Sequence, residues 1–254
     1  MVNDSTRAYS VYISDENNSV QGSGVLFYAG GKSAFVFTCA HVVDGLEKIR
    51  LFILKEINAA CDRYDVFCTE ISSSQVLYSP LDEVRTDDAG TKTHTEDIAI
   101  IQLGKPESLE IPVTNFLITE TYRNRPVYVQ GYPNGVPDGR SPIEYLDCLH
   151  GCVVVNPADS NRFTIRMDNT FIDAGSRVYE LEGLSGAPVW EDSEEVNGLL
   201  GVFTSAYGAT ALLSKTFVTK AQQLRSIMKE RFGIVMKRKL EGIPEQDVAG
   251  GSGD

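Results

Sequence analysis

Long apolar runs are missing from this sequence of 254 residues. None approaches the roughly 20 consecutive apolar residues that cross a bilayer, so no membrane partner is expected. The opening residues, Met1-Val2-Asn3-Asp4-Ser5-Thr6-Arg7, lack the positive start and apolar stretch of a secretory signal. Positive charge is also scarce: 23 Lys and Arg face 35 Asp and Glu, a formal net charge of −12. That balance repels nucleic acid and anionic lipid at long range, which removes both as expected partners. The one locally basic stretch, 229–239, reads as a solvated helix face. Cysteine is sparse and odd in number: Cys39, Cys61, Cys68, Cys148 and Cys152. Any intrachain pairing leaves one over, and a chain this long folds without staples, so free thiols and a cytoplasmic location are expected. Cys148-x-His150-x-Cys152 has no second ligand pair at zinc-site spacing, and alternation along a strand explains it as well. No metal or organic cofactor is expected.

What is present is a β rhythm. Turn signals recur every ten residues or so between short runs of Val, Ile, Phe, Tyr and Thr, which predicts an all-β sandwich or barrel. Val25 to Tyr28 and Ala34 to Thr38, joined across Gly30-Gly31, form an expected hairpin. Further strands are expected at 49–54, 66–71, 75–78 and 98–103, and a second set at 127–131, 152–155, 163–167, 187–190 and 199–204. The polar, proline-marked stretch between the sets, 104–126, is the natural connector of two lobes. A helix is predicted over 219–232, where Ala221, Leu224, Ile227, Met228 and Phe232 recur at helical spacing, with Gly233 placed to end it. The polar, glycine-rich stretch 241–254 reads as a disordered tail or linker.

Three segments carry residues able to do chemistry. Thr38-Cys39-Ala40-His41-Val42-Val43 puts a histidine at the end of an apolar strand, and Glu96-Asp97-Ile98-Ala99 puts an acid at the start of another. Gly183-Leu184-Ser185-Gly186-Ala187-Pro188 puts a serine in a glycine turn. A serine hydroxyl is a weak nucleophile and needs a base to take its proton. Histidine suits that task, and a carboxylate that holds the imidazole fixes its tautomer. His94 lies in a polar stretch, His150 lies between two cysteines, and Asp87 and Asp88 lie in a turn-like stretch, so none of these rivals the three.

Taken together and in this order, the segments resemble the signature regions of trypsin-like (chymotrypsin-clan) serine peptidases, in their intracellular bacterial form. Thr-Ala-Ala-His is matched apart from Cys39, Asp-Ile-Ala is matched from Asp97 to Ala99, and Gly-x-Ser-Gly-x-Pro is matched by Gly183, Ser185, Gly186 and Pro188. The resemblance spans about residues 20–232. It implies two six-stranded antiparallel β-barrels with a C-terminal helix. Lobe 1–110 would carry His41 and Asp97, lobe 111–240 would carry Ser185, and 241–254 would be tail. It further implies that His41, Asp97 and Ser185 cleave polypeptide substrates through an acyl-enzyme, with the N–H groups of Gly183 and Ser185 as oxyanion hole. Tyr179 and Glu180, with Glu182 as a further candidate, would line the primary pocket, and Thr204 and Ser205 would pair with the substrate strand. Leu184 departs from the aspartate of trypsin-like zymogens, and no Ile-Val-Gly-Gly start is present, so activation by N-terminal cleavage is not expected. Intracellular bacterial relatives are often coupled to sensor or defence modules. This implies an effector controlled by a regulatory protein or a fused sensor domain. The alternative is a catalytically silent protease fold that binds peptides or scaffolds partners.

Overall fold

Runs of β-branched and aromatic residues, cut at short intervals by glycine and polar turns, draw this chain into antiparallel sheet. The computed structural model describes residues 4–29, 33–58, 63–80, 84–86, 92–94, 97–103, 117–119, 124–132, 147–154, 162–167, 183–192, 198–207 and 215–237. A 3₁₀ turn, Asp4–Tyr9, leads into β1 (Ser10–Ser14), β2 (Val20–Tyr28) and β3 (Ala34–Thr38). One helical turn, α1 (Ala40–Val43), precedes β4 (Lys48–Asn58), β5 (Arg63–Ser72) and β6 (Val76–Tyr78). A short pair, β7 (Val84–Thr86) and β8 (Lys92–His94), stands apart before β9 (Ala99–Leu103). The first sheet has the order β5-β4-β1-β2-β3-β9-β6, open at both ends among the described residues.

The second half contributes β10 (Leu117–Ile118), β11 (Pro126–Gly131), β12 (Asp147–Val154), β13 (Arg162–Met167), β14 (Pro188–Glu191), β15 (Gly198–Tyr207) and β16 (Lys215–Lys220). Here β15-β14-β11-β12-β13-β16 closes on itself through the β15–β16 pairing, making a six-stranded barrel, with β10 added in parallel beside β15. Closure removes the exposed edges that an open sheet leaves. The fold is the expected chymotrypsin-like pairing of two β lobes, with a half-barrel on the first side and a closed barrel on the second.

The hairpin expected around Gly30-Gly31 is the β2–β3 pair, registered Val25 to Phe37 and Tyr28 to Ala34. Five strands lie outside the expected set: β1, β7, β8, which takes in His94 of the expected polar stretch, β10, which lies within the expected connector, and β16. Ser10–Ser14 is buried along its whole length, so it shows no alternation for a sequence pattern to catch. Lys215–Lys220 runs straight into the last helix and takes over Thr219, the residue at which the periodicity had placed the helix start. That helix, α2, spans Ala221–Phe232 and ends as expected at Gly233, whose left-handed φ of 68° lets its N–H return to Lys229 and Met228. No helix among the described residues is long and apolar enough to cross a membrane. The expected tail 241–254, most of the connector and Cys61 lie outside the described residues.

One apolar cluster joins the halves. It holds Val25, Phe37 and Ile100 of the first sheet, Trp190 and Val202 of the second, and Leu224 and Met228 of α2. The helix also reaches over the first sheet, where Phe232 meets the ring of Phe35 and the Arg231 guanidinium lies 4.9 Å from the centre of Tyr78. Arg231, a member of the basic stretch, thus has a packing duty. Leu224 is fully buried at the centre of this clasp. Leu224→Ala should therefore cost about 3 kcal/mol of stability. The check is a lower denaturant midpoint with an unchanged m-value.

Candidate active site

The strand β3 is wholly buried and delivers the chain to Cys39, where α1 begins and turns His41 outward. Asp97 sits just ahead of β9, which pairs with β3 from Thr38–Ala99 onward, so strand register alone brings the acid beneath the histidine. His41 Nδ1 lies 2.7 Å from Asp97 Oδ2. The backbone N–H of His41 donates to the other oxygen, Oδ1, at 3.0 Å. The carboxylate thus grips both the ring and the backbone of one residue. Its side chain is 7% exposed, whereas the imidazole is 36% exposed, so the ring stays accessible to solvent while the acid beneath it is shielded.

Cys39 lies under this pair. Burial, and after it the charge of Asp97, push the thiol pKa well up, so the group is S–H and donates to the Phe203 carbonyl at 3.2 Å. The ligand atoms of Cys39, His41 and Asp97 all lie within 4.8 Å of one another. A buried, protonated thiol already bonded to a carbonyl is nevertheless a poor metal ligand, since metals bind the thiolate.

The serine turn approaches from the second barrel. Gly183 and Gly186 take φ values of 87° and 90°, a region that side chains resist, and they fold the chain tightly around Leu184 and Ser185. A Cβ on Gly186 would stand 1.9 Å from the Ser23 carbonyl oxygen and 2.2 Å from Thr38 Oγ1, so only glycine fits. Leu184 is fully buried and packs into the barrel core with Val127, Val129, Ala187 and Val189. The Phe203 carbonyl accepts Gly186 N–H at 2.7 Å as well as the Cys39 thiol, which ties the serine turn and the histidine turn to one atom.

Of the expected residues, His41 and Asp97 are joined directly, and Ser185 stands on the turn beside them. The Ser185 hydroxyl donates to the Thr204 carbonyl at 3.3 Å, and no hydrogen bond among the described residues runs from it to His41. Pairing of β15 with β14 stops at Val202; Phe203 then bonds to Gly186 and Ala187, and Thr204 and Ser205 follow in the strand. Tyr179, Glu180 and Glu182 lie outside the described residues, as do Asp87 and Asp88. The neighbours of His150 on β12 reflect strand alternation. Its ring lies 5.9 Å from that of Tyr128 and its Nδ1 is 3.3 Å from Asp192, while Cys152 receives Arg166. Cys39, Cys68 and Cys152 are free thiols.

Sequence reasoning passed over Ser23. Its hydroxyl donates to the Gly183 carbonyl at 2.8 Å and accepts Tyr132 N–H at 2.9 Å. Its own N–H donates to the Ser185 carbonyl at 2.7 Å. The available signal was Gly22-Ser23-Gly24, a small polar residue between two glycines just ahead of the apolar run Val25 to Tyr28. Thr38, the first residue of the histidine segment, and Tyr132 complete this contact.

Comparison with known proteins agrees with the geometry. The family profile described as a trypsin-like peptidase domain matches residues 22–199. No curated protein is similar enough in sequence to count as a relative. Among solved structures, the chain is similar to the inactive form of a serine-to-alanine mutant of Rv3671c from M. tuberculosis H37Rv, with a TM-score of 0.51, 19% identity and 90% of each chain covered. It is also similar to kallikrein-related peptidase 10, with a TM-score of 0.58 and 15% identity over 90% of this chain and 97% of the other. At such identities the likeness establishes the fold, and the profile establishes the lineage: the chain belongs to the trypsin-like peptidase family.

Proposed function

We propose that this protein is a serine endopeptidase in which Ser185 attacks the peptide carbonyl, His41 takes the hydroxyl proton and Asp97 holds the imidazole. The observation that carries this reading is the double grip of Asp97 on His41, 2.7 Å to Nδ1 and 3.0 Å from the backbone N–H, with the serine turn tied to the same wall through Phe203. With Nδ1–H committed to the carboxylate, Nε2 is left as acceptor. A bond of 3.3 Å between hydroxyls and carbonyls is long, so little energy holds the Ser185 hydroxyl on Thr204, and rotation about χ1 redirects it. Such contacts commonly tighten only with substrate in place.

Attack forms the Ser185 Oγ–carbon bond and moves the carbonyl electrons to oxygen. The N–H groups of Gly183 and Ser185 meet that charge, each such donor contributing on the order of 3 kcal/mol. Collapse passes the proton from His41 to the leaving amine and leaves an acyl-enzyme, which water cleaves by the reverse sequence. An extended polypeptide pairs along β15 at Thr204 and Ser205 beyond the end of β14. By the family resemblance, Tyr179 and Glu180 are the candidates for the primary pocket. The enzyme serves as a controlled effector under a regulatory protein or a fused sensor module. The rival reading, a silent protease fold that binds peptides, is favoured by one observation: the Ser185 hydroxyl faces Thr204 and not His41.

Ser185→Ala should remove fluorophosphonate labelling and lower turnover by about 10⁶-fold. A wild-type protein that neither labels nor cleaves a peptide library would favour the silent module. Asp97→Asn should keep the fold but reverse the imidazole tautomer, lowering kcat by about 10⁴-fold. Steady-state kinetics together with an unchanged unfolding midpoint would check it.

A further inference from the structure

Serine offers four hydrogen-bonding groups: backbone N–H, backbone C=O, the hydroxyl proton and the hydroxyl lone pairs. In Ser23, which is fully buried, all four are engaged where the lobes meet. The N–H donates to Ser185 O at 2.7 Å, and the C=O accepts Thr38 Oγ1–H at 2.6 Å. The hydroxyl donates to Gly183 O at 2.8 Å and accepts Tyr132 N–H at 2.9 Å. Two of these bonds reach the nucleophile turn of the second barrel, one reaches the end of β3, the strand that leads to His41, and one reaches the residue after β11.

The two carbonyls held by Ser23 belong to the peptide units on either side of the Leu184–Ser185 amide. The hydroxyl orients the Gly183–Leu184 unit and the N–H orients the Ser185–Gly186 unit, so the plane between them, which carries Ser185 N–H, has little freedom left. Gly183 and Gly186, at φ values of 87° and 90°, are flexible points at which a peptide plane could otherwise swing. We infer that Ser23 is a positioning residue that holds the nucleophile turn in its working shape before substrate arrives, by pinning the peptide planes that flank Ser185. The inference rests on the serine-peptidase reading and deepens it. Any buried serine must have its polar groups matched; what sets Ser23 apart is that two of its bonds, at 2.8 and 2.7 Å, end on the carbonyls that flank the Leu184–Ser185 amide.

The test uses the full chain carrying Ser23→Ala, with wild type and Ser185→Ala alongside, on a fluorogenic peptide that the wild type cleaves. Removing the hydroxyl leaves Gly183 O and Tyr132 N–H without their partner, and the turn tilts to re-pair them. The expected result is a kcat lowered about tenfold to a hundredfold with KM changed by less than about twofold, the pattern of lost geometry and not lost binding. The affinity of a boronate built on the same peptide should fall in parallel with kcat/KM, while affinity for the cleaved product peptide stays level.

Wild-type kcat per folded molecule, or a loss confined to KM or to the unfolding midpoint, overturns the inference while the serine-peptidase reading stands on the inactivity of Ser185→Ala. If Ser185→Ala still cleaves the peptide, that reading falls and this one with it. Should Ser23→Ala fail to fold, Thr38→Val decides. It removes only the bond to Ser23 O and keeps the side-chain shape, so a lowered kcat supports the inference and an unchanged kcat overturns it.

Discussion

A site divided between two lobes works only if atoms on opposite sides of an interface are held to a few tenths of an ångström, and hydrogen bonds between backbone groups are the means available here. The Ser185 carbonyl receives the N–H of Ser23, and the Phe203 carbonyl receives both Gly186 N–H and the Cys39 thiol. These bonds require the backbones to come close. Gly186 allows it, because any side chain at that point would collide with the Ser23 carbonyl. The histidine turn and the serine turn are therefore not placed separately by their own barrels. They share acceptors, and a shift of one lobe against the other is felt at both.

The seam continues away from the site as a parallel set of contacts. Thr6 bonds Tyr128 at 3.1 Å, Ser10 bonds Gln130 at 3.3 Å, and Tyr12 meets the Tyr132 ring edge-on at 5.5 Å. Each step advances along both the N-terminal segment and β11, so a single register connects the lobes. The partly polar character of this seam has an energetic cost, because a buried polar group is tolerated only when it is matched. The cost is met in part by direct pairing, Thr6 with Tyr128 and Ser10 with Gln130 Oε1, while Gln130 Nε2 and the Tyr132 hydroxyl are buried with no hydrogen-bond partner among the described residues. Apolar burial alone would let the lobes slide, since it has no direction. Directed bonds fix the register, and the cluster around Trp190 and α2 supplies the cohesion.

Much of the fold was legible because it rests on short-range patterns. The β2–β3 hairpin, the helix and its Gly233 cap, and the three site segments each announce themselves within a dozen residues. The grip of Asp97 on His41 was legible one step further out, since apolar strands led to both residues and strands so placed tend to pair. Ser10–Ser14 was not, because a strand buried on both faces loses the alternation that marks a strand. Ser23 was the least legible of all. Its role depends on a carbonyl 160 residues away, and a backbone carbonyl has no identity in a sequence. The same holds for the Phe203 carbonyl and for Tyr132, where the working atom is a backbone N–H.

The anchoring of the nucleophile turn has one more consequence, which follows from the chemical type of its parts. In the trypsin-like zymogens that the sequence resembles, an aspartate before the nucleophile pairs with a newly cut N-terminus. Such a pair must be desolvated to form, and its strength varies with protonation. Leu184 stands at that position and is fully buried among Val127, Val129, Ala187 and Val189, a burial worth about 1.5–3 kcal/mol for a side chain of this kind. The bonds around it come from hydroxyls, amides and carbonyls, none of which titrates near neutral pH. The turn is therefore held by groups whose strength is the same across the physiological range. Among the described residues, the bonds that hold this turn run between uncharged groups, so these bonds and the packing of Leu184, and not an ion pair, set its shape.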